Sequence, residues 1–309
     1  MSKKSWYTKK NPLNRAKNKT TSMSVTPTKF WQNTSGKFLN LSRDISFFDP
    51  TMKIVFTLSI LVVLASLLWK TLFTNVSSEA STIFALNNGA IFFFSWLLAR
   101  EVDPDRPLGA YVSAALAVGT ALIWGIGDIA VIFWLMMLMR LLNRSAGLGA
   151  GLFDNLIILT ATYFVAYKGY WLYAALTAIA YALETQLPKG SPRSFYAAGF
   201  AFWIATLSQG VPLGDSSIPA DIFSFMILAT ILFLPIVRMS TVLKSIGDYD
   251  KVILNTYRVQ AAQIFFLAAA FILTWFYGEK VLNSLLPVWS IACGTGLYLL
   301  STVFTRKKS

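Results

Sequence analysis

Apolar stretches of about 15 to 22 residues recur along most of this chain, separated by short polar segments. A helix that crosses a bilayer needs roughly 17 to 25 apolar residues, so the pattern predicts an all-α, polytopic transmembrane helix bundle. Two turn signals, Gly125-Ile126-Gly127 and Lys168-Gly169, divide the crowded stretch 109–184 into four segments. About ten spans are predicted, near residues 53–71, 82–99, 109–124, 127–142, 150–167, 170–184, 195–210, 219–238, 259–277 and 283–304.

The chain before the first span differs in composition from the rest. Residues 1–35 are rich in Lys, Asn, Ser and Thr, which predicts a basic, disordered cytoplasmic arm. In 36–49 apolar residues recur every three or four positions, which predicts a short amphipathic helix at the membrane interface. Residues 50–309 form the predicted transmembrane domain.

Composition agrees with a lipid environment. Hydrophobic residues make up 55% of the chain and charged residues 13%, against about 25% charged residues in soluble domains. The chain has no histidine and one cysteine, Cys293. Histidine-ligated zinc, Cys–His nucleophiles and disulfides within one chain are therefore excluded.

The formal net charge of +13 is distributed as topology requires. With ten spans, all Lys and Arg residues except Lys70, Lys168 and Lys280 fall on one side, which the positive-inside rule assigns to the cytoplasm. Both termini are then cytoplasmic, and a prokaryotic plasma membrane is the expected location. We expect the basic arm to bind anionic lipid headgroups. A nucleic-acid partner is not expected, although a nucleic-acid or ribosome contact of the arm is the alternative.

Polar residues inside the predicted spans are few. No ionisable residue lies near a span centre, which argues against a proton-relay pump or a voltage sensor. Asn87 and Asn88 lie in the middle of the second span. Such residues either bond to a neighbouring helix or contact a substrate.

The polar and charged side chains that could bind a ligand lie mostly in the predicted cytoplasmic loops. A proline-stiffened loop, 100–107, presents acidic and basic groups together, and the fourth span ends on three polar side chains before a glycine-rich helix start at 147–151. These features predict an anion or substrate site, with aspartates that could hold Mg²⁺ if the loops meet. The candidate substrate-binding residues are Arg100, Arg106, Arg140, Asn143, Arg144, Asn87 and Asn88, and the candidate metal ligands are Asp103, Asp105 and Asp154.

The alternative for these loop residues is structural. Acids and arginines at a membrane surface often pair with each other or cap helices. Two further polar patches face the same predicted compartment, Glu184–Gly190 and Gly247–Lys251.

The run Arg100-Glu101-Val102-Asp103, followed by Pro104-Asp105-Arg106-Pro107, resembles the end of the first motif of UbiA-type membrane prenyltransferases. Thr185 with Leu187-Pro188 is similar to part of their second motif. The resemblance implies aspartates that bind Mg²⁺ and the diphosphate of an isoprenoid donor. This chain departs from the family in having Ser95, Trp96 and Ala99 at the upstream positions of the first motif, and Glu184 alone where the second has paired aspartates.

Three functions are compatible with these patterns. The first is a permease-like carrier of a small solute or lipid, favoured by compact spans and short loops. The second is a membrane-embedded transferase or phosphatase acting on an isoprenoid- or lipid-linked phosphate at the cytoplasmic face, with Glu184 as a possible further ligand. The third is a scaffold or subunit of a membrane complex, recruited through the basic arm.

Overall fold

A computed structural model describes residues 40–41, 49–73, 77–125, 127–214, 217–248 and 250–306. The predicted basic arm lies outside the described residues. So does the predicted interfacial helix, apart from residues 40, 41 and 49.

Ten helices make up most of the described part of the chain, and two isolated β-bridges are its only extended pairings. Each helix overlaps one of the ten predicted segments, and breaks occur at both glycine signals. In chain order the helices are α1 (Pro50–Phe73), α2 (Ser78–Val102), α3 (Pro107–Trp124), α4 (Ile129–Asn143), α5 (Leu152–Ala166), α6 (Leu172–Gln186), α7 (Arg193–Leu207), α8 (Ala220–Met239), α9 (Thr256–Tyr277) and α10 (Glu279–Arg306).

Six of these helices, α1, α2, α3, α8, α9 and α10, are long and apolar enough to cross a membrane. The protein is therefore an integral membrane protein. The other four have 15 residues each. A helix of that length is about 22 Å long, which is less than the roughly 30 Å of a bilayer's hydrocarbon core.

Contacts between loops show which helix termini lie together, and they define two ends of the bundle. At one end, which we call the charged end, residues 103–106, 144–151, 187–192, 240–248 and 250–255 meet. There the Asp105 carboxylate accepts a hydrogen bond from the Ser245 amide at 2.8 Å. At the other end, which we call the tyrosine end, residues 167–171, 208–214 and 276–278 meet, and the Tyr277 hydroxyl accepts from the Leu172 amide at 3.0 Å. Successive helices therefore run in alternating directions.

Helix α4 lies at the centre of the bundle, packed against α2, α5, α6, α9 and α10. Every residue from Trp134 to Asn143 is buried. A helix that is apolar nearly all round is shielded from water on every side, by other helices or by lipid. Its last turn carries Arg140 and Asn143 to the charged end.

Small residues allow α10 to approach α3 closely. A Cβ atom at Gly294 would lie 2.5 Å from the Cα of Ser113, so glycine is required at this crossing. The two helices are also linked by a hydrogen bond of 3.0 Å between the hydroxyls of Thr120 and Ser290. Packing of small residues with hydroxyl hydrogen bonds is the usual way in which helices associate in membranes.

Candidate functional site

A buried polar cluster connects α2 and α4 at the charged end. Arg140 donates from Nε to Oε1 of Glu101 at 3.0 Å, and both side chains are buried. Asn143, one turn later, donates from Nδ2 to the backbone carbonyl of Glu101 at 2.6 Å. Arg140 also donates from Nη1 to the carbonyl of Leu41 at 3.1 Å, which holds the chain that precedes α1 against the bundle.

A second cluster forms around Glu184 at the end of α6. Its Oε1 accepts from Nη2 of Arg144 at 2.6 Å and from Nη2 of Arg258, on α9, at 3.2 Å. Its Oε2 accepts from the backbone amide of Ser191 at 3.1 Å. Arg258 is further fixed by hydrogen bonds to the carbonyls of Leu142 and Pro188. One carboxylate therefore faces two guanidinium groups.

A cavity of about 360 Å³ opens beside this second cluster, and we call it the basic pocket. The loops after α4 and α6 and the chain leading into α9 form its walls. It is lined by Asn143, Arg144, Gly147, Pro188, Lys189, Asp250 and the segment 252–258.

Three cations and one carboxylate line the basic pocket. Arg144 and Arg258 share Glu184, whereas Lys189 is exposed and forms no ion pair with the described residues. Within the same part of the chain, Oδ1 of Asn143 and Nε of Arg144 are buried and have no hydrogen-bond partner. Buried polar groups normally have partners, so two buried atoms without one beside a cavity make this place a candidate for ligand contact.

Two residues of the basic pocket have a strained backbone conformation. Arg144 ends α4 with φ 50°, and Lys189 follows α6 with φ 62°. Left-handed backbone costs a residue other than glycine roughly 1 to 2 kcal/mol. Two basic residues of one pocket thus adopt a backbone conformation that glycine adopts without strain, and such strain is often found at functional positions.

A second polar cavity of about 360 Å³ lies at the same end. Both cavities include Leu254, so residues 245–248 and 250–254 separate them. Among these residues the Gly247 amide donates to the Val252 carbonyl at 2.8 Å. The second cavity is lined by Arg100, Glu101, Pro104, Ser145, Lys244, Ser245, Ile246, Asp248 and Leu254.

The structure brings most of the predicted substrate-binding residues to the charged end. Asn143 and Arg144 line the basic pocket, and Arg100 lines the second cavity. Arg140 is engaged with Glu101 as described above. Arg106 instead pairs with Asp103 at 2.9 Å.

The two predicted asparagines lie elsewhere. Asn88 precedes Arg100 by three helical turns, about 18 Å along α2. It is fully buried, and neither of its amide atoms has a hydrogen-bond partner in the described part of the chain. Its neighbour Asn87 is half-buried. These residues are not part of the clusters at the charged end.

The three aspartates predicted as metal ligands have separate partners. Asp105 accepts from the backbone amides of Lys244 and Ser245, and Asp154 accepts from the amides of Asn40, Leu41 and Gly151. Burial raises the pKa of Asp103 above its ordinary value, although the Arg106 guanidinium opposes this. Among the described residues, no group of three or more His, Cys, Asp or Glu could hold a metal ion. The magnesium site stays a prediction from sequence, and each aspartate has an observed structural role.

Sequence reasoning assigned Arg258 only to topology, and it placed Lys189 in a polar patch without predicting it as a ligand-binding residue. A signal for Arg258 was present. It shares a helical face with Ala262, Phe265 and Ala269, all buried, so its position on α9 indicates a buried arginine. No local signal distinguishes Lys189 from other loop lysines.

Comparison with known proteins gives no match: no family model, no curated protein and no solved structure matches this chain. The resemblance to UbiA-type prenyltransferases therefore stays a prediction from its loop motif. Function has to be inferred from the geometry of the site.

Proposed function

We propose that this integral membrane protein binds a small solute bearing a phosphate or carboxylate group in the basic pocket and acts as its carrier. The observation that carries the proposal is the meeting of Arg144, Lys189 and Arg258, from three separate segments, at one cavity. The positive-inside rule places the charged end in the cytoplasm, with ten crossings and both termini inside. The plasma membrane of a prokaryotic cell is the proposed location.

Charge balance in the pocket favours an anion. Glu184 neutralises only one of the two arginines that it contacts, and Lys189 adds a further positive charge. The lining carboxylate, Asp250, accepts a hydrogen bond from the Val252 amide at 3.1 Å, and together with Glu184 it leaves one net positive charge from the three cations. A hydrogen bond to a charged group contributes roughly 1.5 to 3 kcal/mol, so two or three such contacts support binding of a small anion.

A carrier also needs a barrier on the opposite side of the membrane. At the tyrosine end, Tyr173 and Tyr277 are buried, with ring centroids 6.5 Å apart. Trp134 packs edge-on against Tyr173, and its indole N–H donates to the Thr177 hydroxyl at 2.9 Å. Aromatic side chains thus fill the space between α4, α6 and α9, above a pocket that opens at the other end.

The alternative of a metal-dependent transferase or phosphatase receives less support from these contacts. A metal site would need the carboxylates of Asp103, Asp105 and Asp154 to lie close together. Each of them instead forms an ion pair or accepts hydrogen bonds from backbone amides. The alternative of a complex subunit rests on the arm and the interfacial helix, and stays a prediction.

Binding is tested with inorganic phosphate as the probe. Purified protein in detergent should show a rise in thermal unfolding temperature with phosphate that chloride at equal ionic strength does not produce. Lys189→Gln should weaken phosphate binding about tenfold, the loss expected for one charged hydrogen bond. Lys280→Gln, an exposed lysine at the tyrosine end, is the matched control and should bind as the wild type does. Equal binding by the two variants would contradict the assigned site.

Transport is tested separately in proteoliposomes. Radiolabelled phosphate should enter vesicles that contain the wild-type protein faster than vesicles that contain the Lys189→Gln variant. Binding without uptake would reject the carrier function and leave the anion site intact.

A further inference from the structure

A third cavity, of about 600 Å³, lies between α5 and α7, and we call it the lateral groove. Its volume falls within the roughly 300 to 1,000 Å³ of typical ligand sites. Most of its walls are apolar, and several of the side chains are exposed at the surface of the bundle. The lining residues are Leu152, Asn155, Leu156, Leu159, Arg193, Tyr196, Ala197 and Phe200.

Polarity changes along the groove. Arg193 and Asn155 lie in the first turns of their helices, at the charged end. Leu159 and Phe200 lie about one to two turns further into the bundle, which is up to roughly 10 Å away along the helix axis. The groove therefore has a cationic mouth and an apolar floor.

Both polar groups at the mouth can donate hydrogen bonds. Arg193 is exposed and forms no ion pair within the described residues. Asn155 accepts at Oδ1 from the Tyr181 hydroxyl at 3.0 Å, which leaves its amide NH₂ as the donor. A phosphate at this position would receive a charged contact from one residue and a neutral contact from the other.

We propose that the lateral groove binds one anionic phospholipid of the leaflet at the charged end. The acyl chain would lie against Leu156, Leu159 and Phe200, and the headgroup phosphate against Arg193 and Asn155. Arg193 has the charge that attracts an anionic headgroup. The polar part of the groove lies at the end of the bundle and the apolar part lies deeper, as the headgroup and acyl chain of a lipid do. Helices α5 and α7 have 15 residues each, so a bound lipid would also cover a short part of the bundle where the bilayer must otherwise thin.

This inference does not depend on the proposed carrier function, because the lateral groove and the basic pocket have no lining residue in common. The test is native mass spectrometry of the purified full chain with phosphatidylglycerol or phosphatidylcholine at equal concentration. One phosphatidylglycerol per chain should be retained in preference to phosphatidylcholine.

Two variants address the two parts of the site. Arg193→Gln should reduce retention of phosphatidylglycerol about fivefold, the effect of one basic residue near an anionic surface, and its control Arg238→Gln, also exposed at the charged end, should not. Leu156→Trp fills the groove and should reduce retention of both lipids. Its control is Ile231→Trp on α8, where the native residue is 61% exposed against 60% for Leu156. Equal retention of the two lipids, or equal loss in a variant and its control, overturns the proposal.

Discussion

Arg140 of α4 and Glu101 of α2 form a buried ion pair, with Nε 3.0 Å from Oε1. The pair lies where the central helix meets the end of its neighbour, and only 7% of Arg140 and 3% of Glu101 are exposed. Removing two charges from water costs several kcal/mol for each ion, and the contact through Oε1 offsets this cost, while Oε2 of Glu101 is buried without a partner within the described residues. Its role is to fix the end of α4 from which Asn143 and Arg144 enter the basic pocket.

The first prediction concerns this ion pair. Arg140→Met should lower the free energy of unfolding by about 3 to 5 kcal/mol, because it leaves Glu101 buried without its cation. The double variant Arg140→Met/Glu101→Leu should recover most of that loss, since no unpaired charge remains. Denaturant unfolding in detergent measures both values.

Arg238→Met provides the control, because Arg238 is exposed at the same end of the bundle. It should change stability by no more than about 0.5 kcal/mol. If the double variant were as unstable as the single one, charge pairing would not be the reason for the loss.

The second prediction separates stability from ligand affinity at Glu184. Glu184→Gln removes the carboxylate shared by Arg144 and Arg258, so the protein should become less stable by a few kcal/mol. The same change leaves two arginines without their anion, and phosphate affinity should rise several-fold. Effects of opposite sign in unfolding and in phosphate titration are the diagnostic result. Glu79→Gln, exposed at the tyrosine end, should alter neither quantity.

Helix positions could be predicted from sequence because apolar run length and glycine breaks are local signals. The breaks at Gly125 and Gly169 both have positive φ, 101° and 97°, a backbone conformation that glycine adopts without strain. The short spacing between them leaves room for two helices of 15 residues each, α4 and α5. The prediction that α4 to α7 cross the membrane rests on the charge distribution rather than on their length.

The site was only partly predictable, because its composition depends on which helices are neighbours. Arg258 is 74 residues from Glu184 in the chain and contacts it only because α9 packs beside α6. Asp154 is a residue type that often binds metal ions. In the structure its two carboxylate oxygens accept hydrogen bonds from the backbone amides of Asn40 and Leu41, which precede α1. Residue type and loop membership indicated which residues share one end of the bundle, and tertiary packing determined the partners.

The third prediction tests the close crossing of α3 and α10. Gly294→Ala places a methyl group within 2.5 Å of the Cα of Ser113, a backbone atom that cannot move independently. The helices must separate, and stability should fall by about 1 to 3 kcal/mol. Gly119→Ala is the matched control, since a Cβ atom there meets nothing within 4 Å, and it should raise stability by up to about 1 kcal/mol. A similar response of the two variants to thermal unfolding would show that the crossing is not tight.

The fourth prediction concerns pH and Asp103. Burial raises the pKa of this carboxyl in the folded protein above its ordinary value of 3.8, so the folded state binds the proton more tightly than the unfolded state does. The contribution of Asp103 to stability should therefore decrease as pH rises from 3.8 through the folded pKa. Asp103→Asn should remove that part of the pH dependence of the unfolding temperature. Asp221→Asn, at an exposed site on the opposite end, should keep the wild-type profile.

The last prediction tests whether the short helices cross the membrane. Lys168 and Lys189 flank α6 and are both exposed, so ten spans place Lys168 outside the cell and Lys189 in the cytoplasm. In a Cys293→Ser background, a membrane-impermeant maleimide applied to intact cells should label Lys168→Cys, and should label Lys189→Cys only after the membrane is opened. Lys280→Cys, in the first turn of the long helix α10 and next to the end of the long helix α9, provides the reference for an outside position. Labelling of both flanking positions from one side would mean that α6 enters and leaves by the same face. The basic pocket would then lack the orientation that a cytoplasmic anion carrier requires, even though its three cations would still meet.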